Sequence, residues 1–207
     1  MRRLVLPLAP LAVLVAAAVP ATAGAAQVTH FSVKREMATA VFNSTDPSGC
    51  VTTSVGLAAA DAVSKQARAP TTDQDVFVDV FKFDNCTQTT LLSALGSASL
   101  ARGELQIDRM MTAASLHATV TVTDFVSGTS FPVGIAVNWT GVGDPFPSTA
   151  RDVFKTPDVT LRSSFSGTSR SAVASGIVSD ATTNFTPGPA VFAQLDSVKM
   201  GDMTLIH

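Results

Sequence analysis

The chain has no tyrosine, one tryptophan, two cysteines, three histidines and two glutamates (Glu36 and Glu104) among its 207 residues. Each scarcity removes a class of chemistry. Without tyrosine, and with Trp139 continuing the apolar row of Val133, Ile135 and Val137, the chain lacks the stacking platforms of sugar-binding sandwich modules, and Trp139 reads as core. A structural zinc site needs about four ligands, whereas two of the three histidines, His30 and His207, lie near the ends of the mature chain. His117 alone is available inside for a Ser-His-Asp arrangement, and there is no G-x-S-x-G elbow. Two glutamates and fourteen aspartates offer no single carboxylate pair that stands out for glycoside hydrolysis. Basic residues are scattered singly, so no patch exists to neutralise phosphates and nucleic acid is excluded as a partner. No residue pattern asks for a cofactor.

Long apolar runs are also missing, with one exception at the start. Arg2 and Arg3 precede the apolar stretch Leu4 to Pro20, which leads into the small-residue frame Ala21-Thr22-Ala23. That is the build of a secretory signal peptide over residues 1–23, with a second frame at Ala23-Gly24-Ala25. The stretch is interrupted by Pro7 and Pro10 and sits near the lower limit of about 17 residues for a membrane span. The expectation is therefore a secreted mature chain, extracellular or periplasmic, of one domain over 24–207 and without a membrane span. The Ala- and Val-rich leader suits a bacterial exporter. Removing Arg2 and Arg3 leaves 12 basic against 16 acidic residues.

In an oxidising compartment the pair Cys50 and Cys86 has one possible connectivity and reads as a disulfide. Closing a loop of roughly 36 residues restricts the unfolded chain by about 3 to 4 kcal/mol.

What is abundant is period-two alternation. Val120 and Val122 alternate with Thr119, Thr121 and Thr123, and Val133, Ile135, Val137 and Trp139 alternate with Gly134, Ala136 and Asn138. Similar rows run through Val159 to Phe165, Ala190 to Val198 and Met203 to Ile206. Turn chemistry separates them at Asp46-Pro47-Ser48-Gly49, Asp84-Asn85, Ser127-Gly128, Gly141 to Pro147, Ser166-Gly167, Asp180 to Asn184 and Pro187-Gly188-Pro189. Short strands at this spacing predict an all-β fold, an antiparallel sandwich of roughly ten strands with a jelly-roll-like arrangement. The segment Leu57 to Ala69 has helical composition and reads as a short helix or a solvated loop. An echo links 45–50, 123–129 and 179–183, each an Asp-led turn between apolar runs; shared turn chemistry explains it better than duplication.

Four groups of residues are candidates for function. Asp79 shares a strand face with Phe77, Phe81 and Phe83, while Val76, Val78 and Val80 fill the other face; a carboxylate under aromatic cover could serve an aspartate-based hydrolase, with His117 as the available base. Asp73, Asp75 and Asp84 could supply oxygen ligands to calcium in a metal-stabilised surface or matrix module, although no D-x-D-x-D-G loop is present. Phe125, Phe131, Phe146 and Phe185 fall in predicted loops and, gathered at one end, would form a binding surface for an extracellular ligand or protein. Asn43, Asn85, Asn138 and Asn184 each satisfy the N-glycosylation pattern. The leading expectation is a secreted, non-catalytic β protein with a binding or structural role.

Overall fold

A computed structural model of the chain describes residues 28–66, 69–156 and 160–206. The expected leader over 1–23 lies outside the described residues. Ten strands follow one another: β1 (Val28–Thr45), β2 (Val51–Gln66), β3 (Ala69–Asp84), β4 (Thr89–Ser99), β5 (Leu105–Ile107), β6 (Ala113–Asp124), β7 (Ser130–Gly141), β8 (Phe146–Lys155), β9 (Thr160–Ser179) and β10 (Phe192–Ile206). Every pairing between these strands is antiparallel. The all-β, antiparallel, ten-stranded architecture is thus the one the alternation predicts. No helix among the described residues is long and apolar enough to cross a membrane.

The strands form one sheet in the order β10-β1-β2-β3-β4-β6-β7-β9-β8, and β10 also pairs with β9. That last pairing joins the sheet into a closed circuit of eight strands, leaving β5 beside β6 and β8 beside β9. Opposite walls face each other across one core, the two-layer packing expected of a sandwich, and closure removes the open edges that such layers otherwise expose. The weakest seam lies between β4 and β6, which share only Ala94 with Asp124 and Leu95 with Thr123. β7 and β8 lie in succession along one edge of β9, opposite Ala172–Ser179 and Thr160–Ser169 respectively.

Alternation decides which side chains enter the core. Ala38, Ala40 and Phe42 of β1, Val55, Leu57 and Ala59 of β2, and Val76, Val78 and Val80 of β3 all point inward and are buried. Leu116, Val120 and Val122 of β6 meet Val133, Ile135, Val137 and Trp139 of β7 in the same core. Trp139 is buried as expected, and its Nε1–H donates to the Thr39 carbonyl at 2.8 Å, so its one polar atom is satisfied.

Of the segment Leu57 to Ala69, the described residues 57–66 and Ala69 are neither helix nor loop. They form most of β2 and the start of β3. The β2 alanines ladder with β1 on one flank and β3 on the other, Ala59 and Ala60 buried and Ala58 exposed. Long-range pairing overrides local propensity. Arg35 of β1 reaches across β2 to Asp75 of β3, with guanidinium and carboxylate 3.5 Å apart.

Strand direction sorts the turns into two ends. One end collects the β1–β2, β3–β4 and β6–β7 turns and the long β9–β10 connection. It also holds the predicted disulfide, Cys50–Cys86, with Cα atoms 5.3 Å apart. Val51 pairs with Asp84, so this bridge clips the open end of the β2–β3 hairpin.

Candidate functional site

The turn end explains the sequence echo. Four strands reach it on an aspartate, and each carboxylate accepts hydrogen bonds from the turn that follows. Asp46 takes the Val51 N–H at 2.9 Å and the Ser48 hydroxyl at 2.7 Å. Asp84 takes the N–H groups of Cys86 and Thr87 at 2.8 and 3.0 Å. Asp180 takes those of Thr182 and Thr183 at 2.7 and 2.6 Å. Asp124 is the most heavily used: Ser93 and Val126 N–H reach one oxygen, and the Ser127 N–H and hydroxyl reach the other. Hydrogen bonds to the charged form hold all four carboxyls below the usual carboxylate range. Asp124 is lowered to about 2, with the Ser127 hydroxyl as the largest cause. These are turn anchors.

The candidate site lies on the outer face of β3. Asp79 stands opposite Gly56 of β2 on one side and Leu95 of β4 on the other. Phe77 and Phe81 flank it along the strand. Beyond Gly56, Val41 of β1 continues the row and pairs with Phe192 of β10. Phe125 joins from the β6–β7 turn, its N–H donating at 2.8 Å to the carbonyl of Ser93, the cross-strand partner of Phe81. Phe81 also stacks on Phe83, with ring centroids 6.2 Å apart. Phe77, Phe81, Leu91, Leu95, Phe125 and Phe192 are each between 40% and 64% exposed, so they form an apolar surface rather than a second core. Six such side chains leave roughly 400–500 Å² of apolar area in water, a size at which surface patches are often functional.

Asp79 is the charged member of this patch, which Ser54, Ser93 and Ser97 also share, and it is half buried. Burial pushes its carboxyl pKa up, and a hydrogen bond from the Gly56 N–H opposes that in part. A side chain at position 56 would collide with the Asp79 carboxylate, so the glycine provides the space in which that carboxylate folds back over β2.

Other predicted residues are placed apart. His117 is exposed on β6, six positions along the strand from Thr123, which is level with Asp79 through Leu95. At 3.3 Å per residue that is roughly 20 Å. Asp73 and Asp75 sit at the far end of β3 from Asp84, and Asp75 is engaged by Arg35. Among the described residues Cys50, Asp84 and Cys86 come together with ligand-like spacing, but the two sulfurs are bonded to each other. The four loop phenylalanines also separate. Phe125 joins the outer patch, Phe131 packs against the core, and Phe185 is buried with the Lys82 ammonium 4.9 Å from its ring centre. Phe146 is exposed at the start of β8, at the opposite end of β7 from Phe125.

A second polar region lies where β1, β2 and β3 run on past the core. Gln74 donates to Asp61 at 3.0 Å, and Lys34 pairs with Glu36 at 2.6 Å. Among the described residues Asp61 Oδ1 and Gln74 Oε1 here, and Arg170 Nε on β9, are buried without a hydrogen-bond partner. A shallow groove of about 470 Å³ between Gln106, Asp108, Asn138 and Trp139 has no converging charged groups beyond Asp108.

Phe77, Phe81, Leu91 and Leu95 are functional candidates that the loop-centred expectation missed. Their signal was a strand apolar on both faces, which reads equally well as a strand covered on both sides.

No protein-family model matches the chain, and no curated protein is similar to it. Among solved structures it is weakly similar to a Nitrosomonas europaea chain given the provisional name AttH, at 12% identity and a TM-score of 0.28. The likeness covers 85% of this chain and 51% of that one, so the chain spans about half of that protein's length. So slight a likeness supports no functional argument.

Proposed function

We propose that this is an exported, non-catalytic binding protein that engages an extracellular partner through the outer face of β3 and β4. The observation that carries the proposal is the group of exposed Phe77, Phe81 and Leu95 on one face, with Phe125 at its turn end and Phe192 beyond Gly56, on an otherwise closed sheet. Keeping this much apolar surface in water lowers solubility, a cost that a partner's burial of it would offset. The leader-like residues 1–23 and the Cys50–Cys86 bridge support export, since such bridges persist in oxidising compartments. The non-catalytic reading rests on the separation of Asp79 from His117, with no nucleophile, base and acid gathered around one point among the described residues.

Photocrosslinking in the producing cells tests this. A benzophenone side chain at Phe81 should give one discrete heavier adduct outside the cytoplasm, and the same group at Phe146 should not. No adduct at Phe81, or equal labelling at both positions, would end the proposal.

A further inference from the structure

An occupant that covers Phe77, Phe81 and Leu95 necessarily covers Asp79, which lies between them. The cations on neighbouring strands are committed or distant. Arg35 is bound to Asp75 and Lys34 to Glu36, Lys82 is turned to the Phe185 ring, and Lys65 is nine positions along β2 from Gly56. β4 carries no charged residue, and the groups facing Asp79 from β2, β3 and β4 are Gly56, Phe77, Phe81 and Leu95, with the uncharged Ser54, Ala58, Ser93 and Ser97 diagonal to it. Among the described residues no cation is within ion-pair distance of Asp79.

A carboxylate sealed beneath an apolar surface without a counter-charge is strongly unfavourable. Charge complementarity therefore restricts what docks here. One carboxylate is too small a ligand set for a hard metal ion, which takes six or more oxygens. A lysine or arginine side chain fits better: its alkyl stem lies along apolar surface, and its cationic head gains from both a carboxylate and aromatic faces. An anionic lipid surface is disfavoured by the chain's net negative charge, with 12 basic against 16 acidic residues once Arg2 and Arg3 are removed.

Resting on the binding role proposed above, we infer that the face takes a segment of a partner protein that sets a lysine or arginine against Asp79 and lays apolar side chains over Phe77, Phe81 and Leu95. Asp79 then selects the partner, and the phenylalanines supply the contact area.

Three six-carbon probes separate charge from apolarity: n-hexylammonium as a lysine mimic, n-hexanol and hexanoate, each titrated into the folded protein and followed by amide chemical shifts. Hexylammonium should shift residues 56, 77–81 and 95 with at least fivefold higher affinity than hexanol, and hexanoate should bind most weakly. Asp79→Asn, close in shape to the native residue, should reduce hexylammonium to the hexanol level. Leu95→Lys places an ammonium directly across from Asp79 and should abolish the preference by satisfying the carboxylate from within. Hexanol binding as tightly as hexylammonium would overturn the inference and leave the apolar docking face standing. No shift at the face with any probe would overturn both. Binding of the wild type to phosphatidylcholine vesicles, lost in Asp79→Asn, would replace the protein partner with a lipid headgroup and so overturn the inference too.

Discussion

Gly96 shows how much one missing side chain can control. A Cβ at this position of β4 would fall against the Thr121 carbonyl and the backbone of Val122, so hydrogen alone lets β6 approach β4 at the narrow seam of the closed sheet. Gly96→Ala should therefore destabilise the fold by about 1–3 kcal/mol, in the range of core overpacking, as read from urea unfolding midpoints. A variant as stable as the wild type would show that the seam can open without cost. Gly56 differs, because the atom in the way is a carboxylate at the end of a rotatable side chain. Alanine there should displace Asp79 rather than the strand.

Among the elements, the β2–β3 hairpin carries both the covalent clip and the proposed binding face. Cys50 and Cys86 bridge a separation of 36 residues across its open end. Replacing both cysteines with serine should cost about 3–4 kcal/mol by the loop-entropy relation, seen as a lower urea midpoint with an otherwise unchanged spectrum. A loss below about 1 kcal/mol would mean that the strand ladder already confines this loop in the unfolded ensemble. Legibility differed sharply between the two strands. β6 and β7 were readable because large apolar residues alternate with Thr in β6 and with Gly, Ala and Asn in β7, so inside and outside are written in residue type. β2 was not, because Ala59 and Ala60 are both buried while Ala58 is exposed, and alanine suits helix or strand according to its neighbours. The Phe77 to Phe83 row failed for another reason: a strand's own sequence cannot tell whether a further layer will cover its second face. Likewise Phe185 looked like a loop residue available for contact, but the β9–β10 connection folds it into the core.

For the molecule as a whole, the turn aspartates set the response to acid. Asp46, Asp84, Asp124 and Asp180 have pKa values lowered in the folded state, as does Asp108, which is bound by Thr112 at the other end. A group depressed on folding contributes stability above its unfolded value of 3.8, and that contribution fades as pH falls through the folded value. Asp79, raised by burial, acts in the opposite sense, its charged form being the destabilising one. Five against one predicts that the urea midpoint declines between about pH 4 and pH 2, the lower bound being the Asp124 value of about 2. Asp124→Asn should flatten the steepest part of that decline. A midpoint that rises on acidification would mean that Asp79 outweighs the turns.

Closure of the sheet has a consequence for how the polypeptide is made. β1 depends on β10 for one of its two neighbours, and the Thr39 hydroxyl meets the Gln194 carbonyl across 155 positions of sequence. An emerging chain cannot seal this ring until β10 has left the ribosome, and contacts so remote in sequence form slowly. If the protein is exported as proposed, that delay keeps it threadable through a narrow translocation pore, with the finished ring assembling on the far side.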